Sequence, residues 1–338
     1  MLFEGKKVLI TGGTGSLGQA LTKRLLKLDV DTIRILSRNE SKQVEMESEL
    51  SDKRLRFFLG DIRDTHRLSY AIEDVDIVFH TAALKHVHKV EYNPFEGIKT
   101  NIIGTQNIID ACIKENVELA IGVSTDKAVS PLNSYGATKL MMEKLFVAAG
   151  NFINKQRHKT KFVALRYGNV LGSSGSVVPK MINQIRSKQK ITITEPYMTR
   201  FTITVEEALD FILDSAKMGK GAEIFLPKLK AYSVNNLKHA LFELLEDTGE
   251  EKIPIRPGEK IHEVLINHDE MKYTWETKSK YAIFYPFSSE EEFRLSHPDF
   301  VKVTSEEQYS SDNTEMLSVS ELKEIIKNSG LLEKSFNN

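Results

Sequence analysis

Apolar positions in the first half of the chain follow two alternating patterns. Short runs rich in β-branched and aromatic residues at 7–11, 32–36, 55–59, 77–79, 119–123 and 162–165 have the length and composition of buried strands. Between them, apolar residues recur at helical spacing over 17–28, 94–114 and 135–152. Strand and helix in alternation predict an α/β fold with a doubly wound parallel sheet, and place any ligand at the carboxyl ends of the strands. Past Arg166 the pattern loosens into Gly/Ser-rich loops, then offers a helix near 205–218, a strand at 224–226 and a helix near 234–245. From Thr277 to Ser311 charged residues, serines, Pro286 and Pro298 interrupt any period, and a last amphipathic helix spans 319–328. The expected division is a sheet domain over 1–166 together with 202–227, and a smaller interleaved substrate lobe over 167–201 and 228–338.

Size and charge narrow the class. A chain of 338 residues exceeds the roughly 250–300 at which one hydrophobic core stops growing, in keeping with a large domain and an appended lobe. The 46 Lys and Arg nearly cancel the 47 Asp and Glu, which points away from nucleic acid or an anionic membrane surface as partner. The single cysteine, Cys112, reads as core, and no Cys/His group has zinc-ligand spacing, so no metal is expected. Lys6 and Lys7 lead straight into the first strand, leaving no room for a signal peptide. No apolar run approaches the ~20 residues of a membrane span. A soluble cytoplasmic enzyme is the expectation.

Candidate chemistry begins where the first strand runs into Gly12-Gly13-Thr14-Gly15-Ser16-Leu17-Gly18 and a helix follows. In that context glycines permit a tight turn and close backbone approach to a pyrophosphate at the helix N-terminus, the signature of a Rossmann dinucleotide site. After the second strand come Ser37-Arg38-Asn39 and Lys42, where sites for NAD usually carry an acid. Arg38 can fork onto a ribose 2′-phosphate and Lys42 can add charge, so the expected cofactor is NADP, with Glu40 the one residue arguing for NAD. Asp61 and Ile62 are placed to meet the adenine edge, and Ala82 and Ala83 let the chain pass close to the cofactor.

Tyr135 and Lys139 stand four residues apart, on one face of the helix after the fifth strand. A free tyrosine, with a pKa of about 10, is too weak a base at neutral pH; a nearby lysine and a positively charged nicotinamide would favour the phenolate. Tyr135 would then take a hydroxyl proton while the attached carbon gives up hydride. Just past the fifth strand lies Ser124-Thr125-Asp126-Lys127. Once a sugar C4 hydroxyl becomes a ketone the C5 proton is acidic, so a base at C5 and an acid at the C6 hydroxyl can expel water. Lys127 is the candidate base, Asp126 the candidate acid, and Thr125 the hydrogen-bond partner of the C4 oxygen. These roles require a neutral Lys127 and a protonated Asp126, which burial favours and their mutual attraction opposes. A salt-bridged loop tip is the simpler alternative.

These segments resemble the extended short-chain dehydrogenase/reductase superfamily and, within it, the configuration-inverting UDP-N-acetylglucosamine 4,6-dehydratases of the pseudaminic acid type. The resemblance also runs through Ala82 to Val87, Lys99-Thr100-Asn101, Arg166 to Val170, Met198 to Phe201, Arg256-Pro257-Gly258-Glu259-Lys260, His262-Glu263 and Tyr309 to Ser311. It implies C4 oxidation by NADP+, loss of water across C5 and C6, hydride return to C6, and inversion at C5. The product implied is UDP-2-acetamido-2,6-dideoxy-β-L-arabino-hexos-4-ulose. By position it implies Lys85, Asn169, Arg200, Arg256 and Glu259 as sugar-nucleotide ligands, Lys85 also serving the cofactor, and a homo-oligomer built from dimers through the helices near 94–114 and 135–152. Within Gly172-Ser173-Ser174-Gly175-Ser176 an expected arginine is absent at Ser174, and Ser130 stands where asparagine is common. Related retaining dehydratases carry methionine in place of Tyr135 and have membrane spans. A nucleotide-sugar 4-epimerase shares the fold and the Tyr/Lys pair but needs no elimination acid and base; a non-catalytic NADP-binding protein needs neither.

Overall fold

The computed structural model describes residues 2–173, 175–285 and 290–333; Ser174 and Pro286 lie outside them. Six strands, β1 (Lys7–Thr11), β2 (Thr32–Ser37), β3 (Leu55–Leu59), β4 (Ile77–His80), β5 (Leu119–Val123) and β6 (Lys161–Leu165), pair in parallel in the order β3-β2-β1-β4-β5-β6. The order turns back between β1 and β4, which opens a crevice at their carboxyl ends. Helices on both faces leave every residue of β4 and β5 buried, so these strands read as continuous apolar runs without alternation.

The sheet is longer than the sequence pattern suggests. Glu223–Pro227 adds in parallel to β6, then Lys280–Phe284, Thr274–Glu276 and Val301–Lys302 extend it antiparallel. The stretch from Thr277 to Ser311, read as aperiodic, therefore supplies a strand, Lys280–Phe284, to the far side of the large sheet. Its Ala282, Ile283 and Phe284 are buried, but so short a run between charged residues carries no periodic signal. The strands Thr274–Glu276, Lys280–Phe284 and Val301–Lys302, grouped with the lobe by the sequence division, thus complete the large sheet. A second core, with Met181, Ile182, Leu237, Leu241, Leu322 and Ile326, is built by helices Val177–Arg186, Val234–Leu244 and Val319–Asn328.

Helices Glu40–Leu50 and Thr65–Ile72 escape the periodicity reading, the first because it buries only Gln43 and Met46. Their caps were legible: Asn39 accepts from the Lys42 N–H and Asp64 from the Arg67 N–H. The expected 94–114 helix contains a wide π turn at Ile98–Ile103. That turn aims Asn101 inward, where its amide brackets the backbone of Leu84 at 2.8 and 3.0 Å and donates to the Thr138 hydroxyl at 2.9 Å. The loop after β4 is thereby fixed to helix Ser134–Phe152. Among the described residues no helix is long and apolar enough to cross a membrane.

Candidate active site

The loop after β1 is shaped by close approach. Gly12 has φ +68°, and a Cβ there would lie 2.8 Å from the Ala82 backbone; one at Gly18 would lie 2.5 Å from Gly13 Cα. The chain segments after β1 and β4 are in backbone contact, and the helix from Ser16 sits directly on the turn. Gly15 caps that helix without a side chain, which leaves the first N–H groups, beginning at Ser16 and Leu17, for an anion. Thr14 is buried and its carbonyl accepts from Gln19 at 3.0 Å.

Beside this cradle, Ser37 is buried at the end of β2 and accepts from Gln43 at 3.0 Å. Arg38 is half exposed, 3.5 Å from Asp61, whose carboxylate is also held by Arg63 at 2.8 Å. Asp61 resists burial through these partners and sits below the usual carboxylate range. Ile62 is buried. Partial desolvation, with Lys42 as a second cause, lowers the Lys85 pKa, so two lysines from different strand ends lie in each other's field. Paired positive charges at the rim are an arrangement that an anion would relieve.

Under the loop after β4, His80 is fully buried between Thr11 (2.8 Å from Nδ1) and Thr105 (3.0 Å from Nε2). The Thr105 hydroxyl donates to the Asn101 carbonyl, so it accepts from Nε2–H, and Nδ1 accepts from Thr11. Burial, with the Lys139 charge, pushes the imidazole down to about 3.

The second half of the site forms where β5 ends. Backbone bonds from Ser124 to Leu165 (2.6 Å) and from Asp126 to Tyr167 (3.1 Å) hold the chain against the end of β6, and Asp126–Ala128 coils into a single 3₁₀ turn. Thr125 donates to Asp126 Oδ1 at 2.8 Å. Lys127 Nζ lies 3.1 Å from Asp126 Oδ1, 3.4 Å from Asn169 Oδ1 and 3.3 Å from Glu263 Oε1. Arg200 closes the cluster, 3.9 Å from Glu263 and 3.6 Å from Glu259. Asp126 is wholly buried, and its Oδ2 and Glu263 Oε2 have no hydrogen-bond partner among the described residues.

Helix Ser134–Phe152 reaches this turn because residue 136 is glycine: a Cβ there would fall 2.1 Å from the Lys127 carbonyl oxygen. Its cap is bolted to the second lobe, since Asn133 accepts from the Gly136 N–H at 2.8 Å and donates to the Gly258 carbonyl at 2.9 Å. Lower on the helix, Glu143 joins a buried network in which Arg166 also binds Glu270 at 2.9 Å through two parallel bonds. Ser130, just past the 3₁₀ turn, has φ +42°, a left-handed conformation in which asparagine is at ease and serine is not.

Two groups are held away from the protonation state the chemistry needs. Burial raises the Tyr135 phenol to about 12, Lys127 and Thr125 only partly opposing it. Lys139 donates to the Val123 carbonyl at 2.5 Å, and burial brings it down to about 8 against the pull of Glu143. Lys127 was to be depressed. Burial acts in that direction, but Asp126 and Glu263 outweigh it and hold the amine above the ordinary lysine value.

Thr125, Asp126, Lys127, Asn169, Arg200 and Glu259 thus form one contiguous cluster beneath Tyr135. The Arg200 guanidinium is buried and bound to the Thr199 and Ile261 carbonyls at 2.7 and 3.0 Å, whereas Arg256 is exposed. Sequence reasoning gave no role to Glu263, which it met only within a matching segment, nor to the buried Tyr232, which feels the charges of Arg200, Lys127 and Asp126. Glu263 follows Arg256-Pro257-Gly258-Glu259-Lys260 by three residues, and that proximity was the available signal.

Comparison with known proteins agrees with this geometry. The family described as polysaccharide biosynthesis protein matches residues 8–284. An inverting UDP-N-acetylglucosamine 4,6-dehydratase of Campylobacter jejuni subsp. jejuni serotype O:23/36 (strain 81-176) is 49% identical over 83% of this chain and 84% of its own. A UDP-glucose 4-epimerase of Rickettsia bellii (strain OSU 85-389) is 38% identical over 100% of both chains. The solved structure of Pen from Bacillus thuringiensis superposes with a TM-score of 0.91 at 39% identity, covering 98% of this chain and 100% of that one. With that family matched over most of its length and a dehydratase nearly half identical to it, the chain belongs to the polysaccharide biosynthesis protein family and stands with the inverting UDP-N-acetylglucosamine 4,6-dehydratases of the extended short-chain dehydrogenase/reductase superfamily.

Proposed function

We propose that the protein converts UDP-N-acetylglucosamine into UDP-2-acetamido-2,6-dideoxy-β-L-arabino-hexos-4-ulose with NADP as its resident cofactor. The observation that carries this reading is the buried contact of Asp126 with Lys127, 3.1 Å apart beside Thr125 and under Tyr135. An enzyme that only oxidises and reduces C4 has no use for a second acid and base there. Thr125 and Tyr135 face the C4 oxygen, and Tyr135 takes its proton. Lys127 removes the C5 proton, Asp126 protonates the departing C6 hydroxyl, and protonation at C5 from the opposite face inverts that centre. NADP+, when bound, supplies the hydride acceptor for C4 and the donor for C6, and its positive ring favours the phenolate that burial alone disfavours.

The cradle of Gly12, Thr14, Gly15, Ser16, Leu17 and Gly18, closed by Ala82 and Ala83, fits a dinucleotide pyrophosphate. Ser37, Arg38, Lys42 and Lys85 suit a 2′-phosphate, with Asp61 and Ile62 at the adenine and Lys139 at the nicotinamide ribose. Arg256 is the accessible fork for the UDP diphosphate, and Asn169, Arg200 and Glu259 line the sugar end. Replacing Arg38 by Ala is expected to weaken NADP+ binding at least tenfold while leaving NAD+ within threefold, read by calorimetric titration of both cofactors.

A dimer-based homo-oligomer in the cytoplasm completes the reading, with exposed Phe95, Ile98, Ile103 and Met141 as its apolar face. The similarity to a 4-epimerase makes that activity the second reading, and mass spectrometry separates the two. Incubation with UDP-N-acetylglucosamine is expected to give a product lighter by one water. An isomer of unchanged mass would mean epimerisation.

A further inference from the structure

We propose that Glu263 is a positioning residue for Lys127, aiming its amine and governing the pH at which it becomes a base. The proposal rests on the dehydratase reading and adds to it a residue outside the Thr-Asp-Lys and Tyr-Lys motifs. Glu263 is brought from the second half of the chain by the strand Val264–Ile266 that follows it, and its backbone is fixed on both sides. Its N–H donates to the Ser311 hydroxyl at 2.9 Å and its carbonyl accepts from the Ser311 N–H at 2.8 Å. The Ser311 hydroxyl is in turn 2.7 Å from Thr199 Oγ1, which is 2.8 Å from His262. The carboxylate is therefore held in place before any substrate arrives.

From that fixed point Oε1 lies 3.3 Å from Lys127 Nζ, nearly as close as Asp126, while Oε2 is buried without a hydrogen-bond partner among the described residues. An unfilled acceptor at this depth is costly unless it is used. The charged groups around Glu263 are Lys127 on the 3₁₀ turn at 3.3 Å, Arg200 on the strand Thr199–Ile203 at 3.9 Å, and Lys260, which feels its charge; Asp126 shares Lys127 with it, Glu259 shares Arg200, and Tyr232 on the strand Ala231–Ser233 feels the charges of Arg200, Lys127 and Asp126. Of these, Lys127 is the group the reaction needs as a free amine. Two carboxylates against one ammonium favour the charged form, and one of them, Asp126, must give a proton to the leaving hydroxyl. Transfer of a proton from the Lys127 ammonium to Asp126 leaves a neutral amine and a neutral acid, with no change of net charge. Glu263 keeps the amine pointed at C5 and receives the ammonium again when the C5 proton arrives.

The test is Glu263→Gln in the enzyme supplied with NADP+ and UDP-N-acetylglucosamine. C6 methyl formation is expected to slow at least tenfold in kcat with KM within threefold. The rising limb of the kcat–pH profile should move to lower pH by about one unit, because a charge that favours the ammonium is gone. Reduced nicotinamide should accumulate in a single turnover, since C4 oxidation precedes the step that needs Lys127. Glu263→Asp, which keeps the charge, should leave the limb in place and recover part of the rate; it also serves as the variant if the glutamine protein folds poorly. A glutamine variant with wild-type kcat, or a loss that tracks the melting temperature with the limb unmoved, would overturn the proposal. If the unmodified enzyme forms no C6 methyl, the dehydratase reading fails first and takes this role with it.

Discussion

A lysine that removes a proton from carbon must be neutral, yet Lys127 sits 3.1 Å from Asp126 and 3.3 Å from Glu263, both of which favour its ammonium. The sequence showed the acid and the base side by side and thus the reaction they serve. It could not show that a third charged group, distant in the chain, lies 3.3 Å from the lysine. Tyr135 and Lys139 lie four residues apart on one helix, and the fold adds what spacing could not show: one of the lysine's N–H groups donates to the Val123 carbonyl. His80 is the clearest titration in the molecule. Its folded pKa of about 3 lies below the ordinary 6.5 because burial rejects the cation. Above pH 6.5 neither state is protonated and nothing is lost. As pH falls from 6.5 towards 3 the unfolded chain takes up a proton that the folded one refuses, so stability drops by up to about 1.4 kcal/mol per pH unit and then levels off. Thermal melts across that window should fall less steeply in His80→Asn than in the wild type, and parallel curves would contradict the assignment of a neutral, buried imidazole.

Among elements, helix Ser134–Phe152 does most to assemble the site, and its position depends on an absent side chain. Gly136 admits the Lys127 carbonyl to within 2.1 Å of where a Cβ would be. Alanine there must push the helix off the 3₁₀ turn and carry Tyr135 away from Thr125. Gly136→Ala is expected to lose at least a hundredfold in kcat, in line with the sensitivity of aligned groups to about 1 Å of displacement, with NADP+ affinity within a fewfold. Wild-type turnover in that variant would mean that the helix and turn are not held as described. The helix itself was legible from its apolar spacing; the need for glycine at its third residue was not, since it arises from a contact made only in the folded chain. The same holds for the π turn at Ile98–Ile103, which periodicity smooths into an ordinary helix but which delivers Asn101 to Leu84 and Thr138.

At the scale of the whole molecule, the joints that hold the site to the later half of the chain are polar. Asn133 holds Gly258, Arg166 holds Glu270, and Lys127 meets Glu263, each linking the parallel sheet's carboxyl edge to the later half of the chain. The parallel strands could be read from sequence because complete burial leaves an unbroken apolar run. The antiparallel extension could not, because strands of two to five residues at a sheet's far end carry too few apolar positions to stand out. Motifs located the chemistry; only the fold shows that its acid, base and positioning charge share one buried cluster. The central claim is that this cluster removes water from a UDP-sugar with inversion at C5. Proton NMR of UDP-N-acetylglucosamine incubated with the enzyme in D2O tests it most directly. The account predicts a new C6 methyl signal, deuterium at C5 and ring couplings of the inverted sugar. A persistent C6 hydroxymethyl group with altered C4 coupling would contradict it and remove the roles given to Asp126 and Lys127.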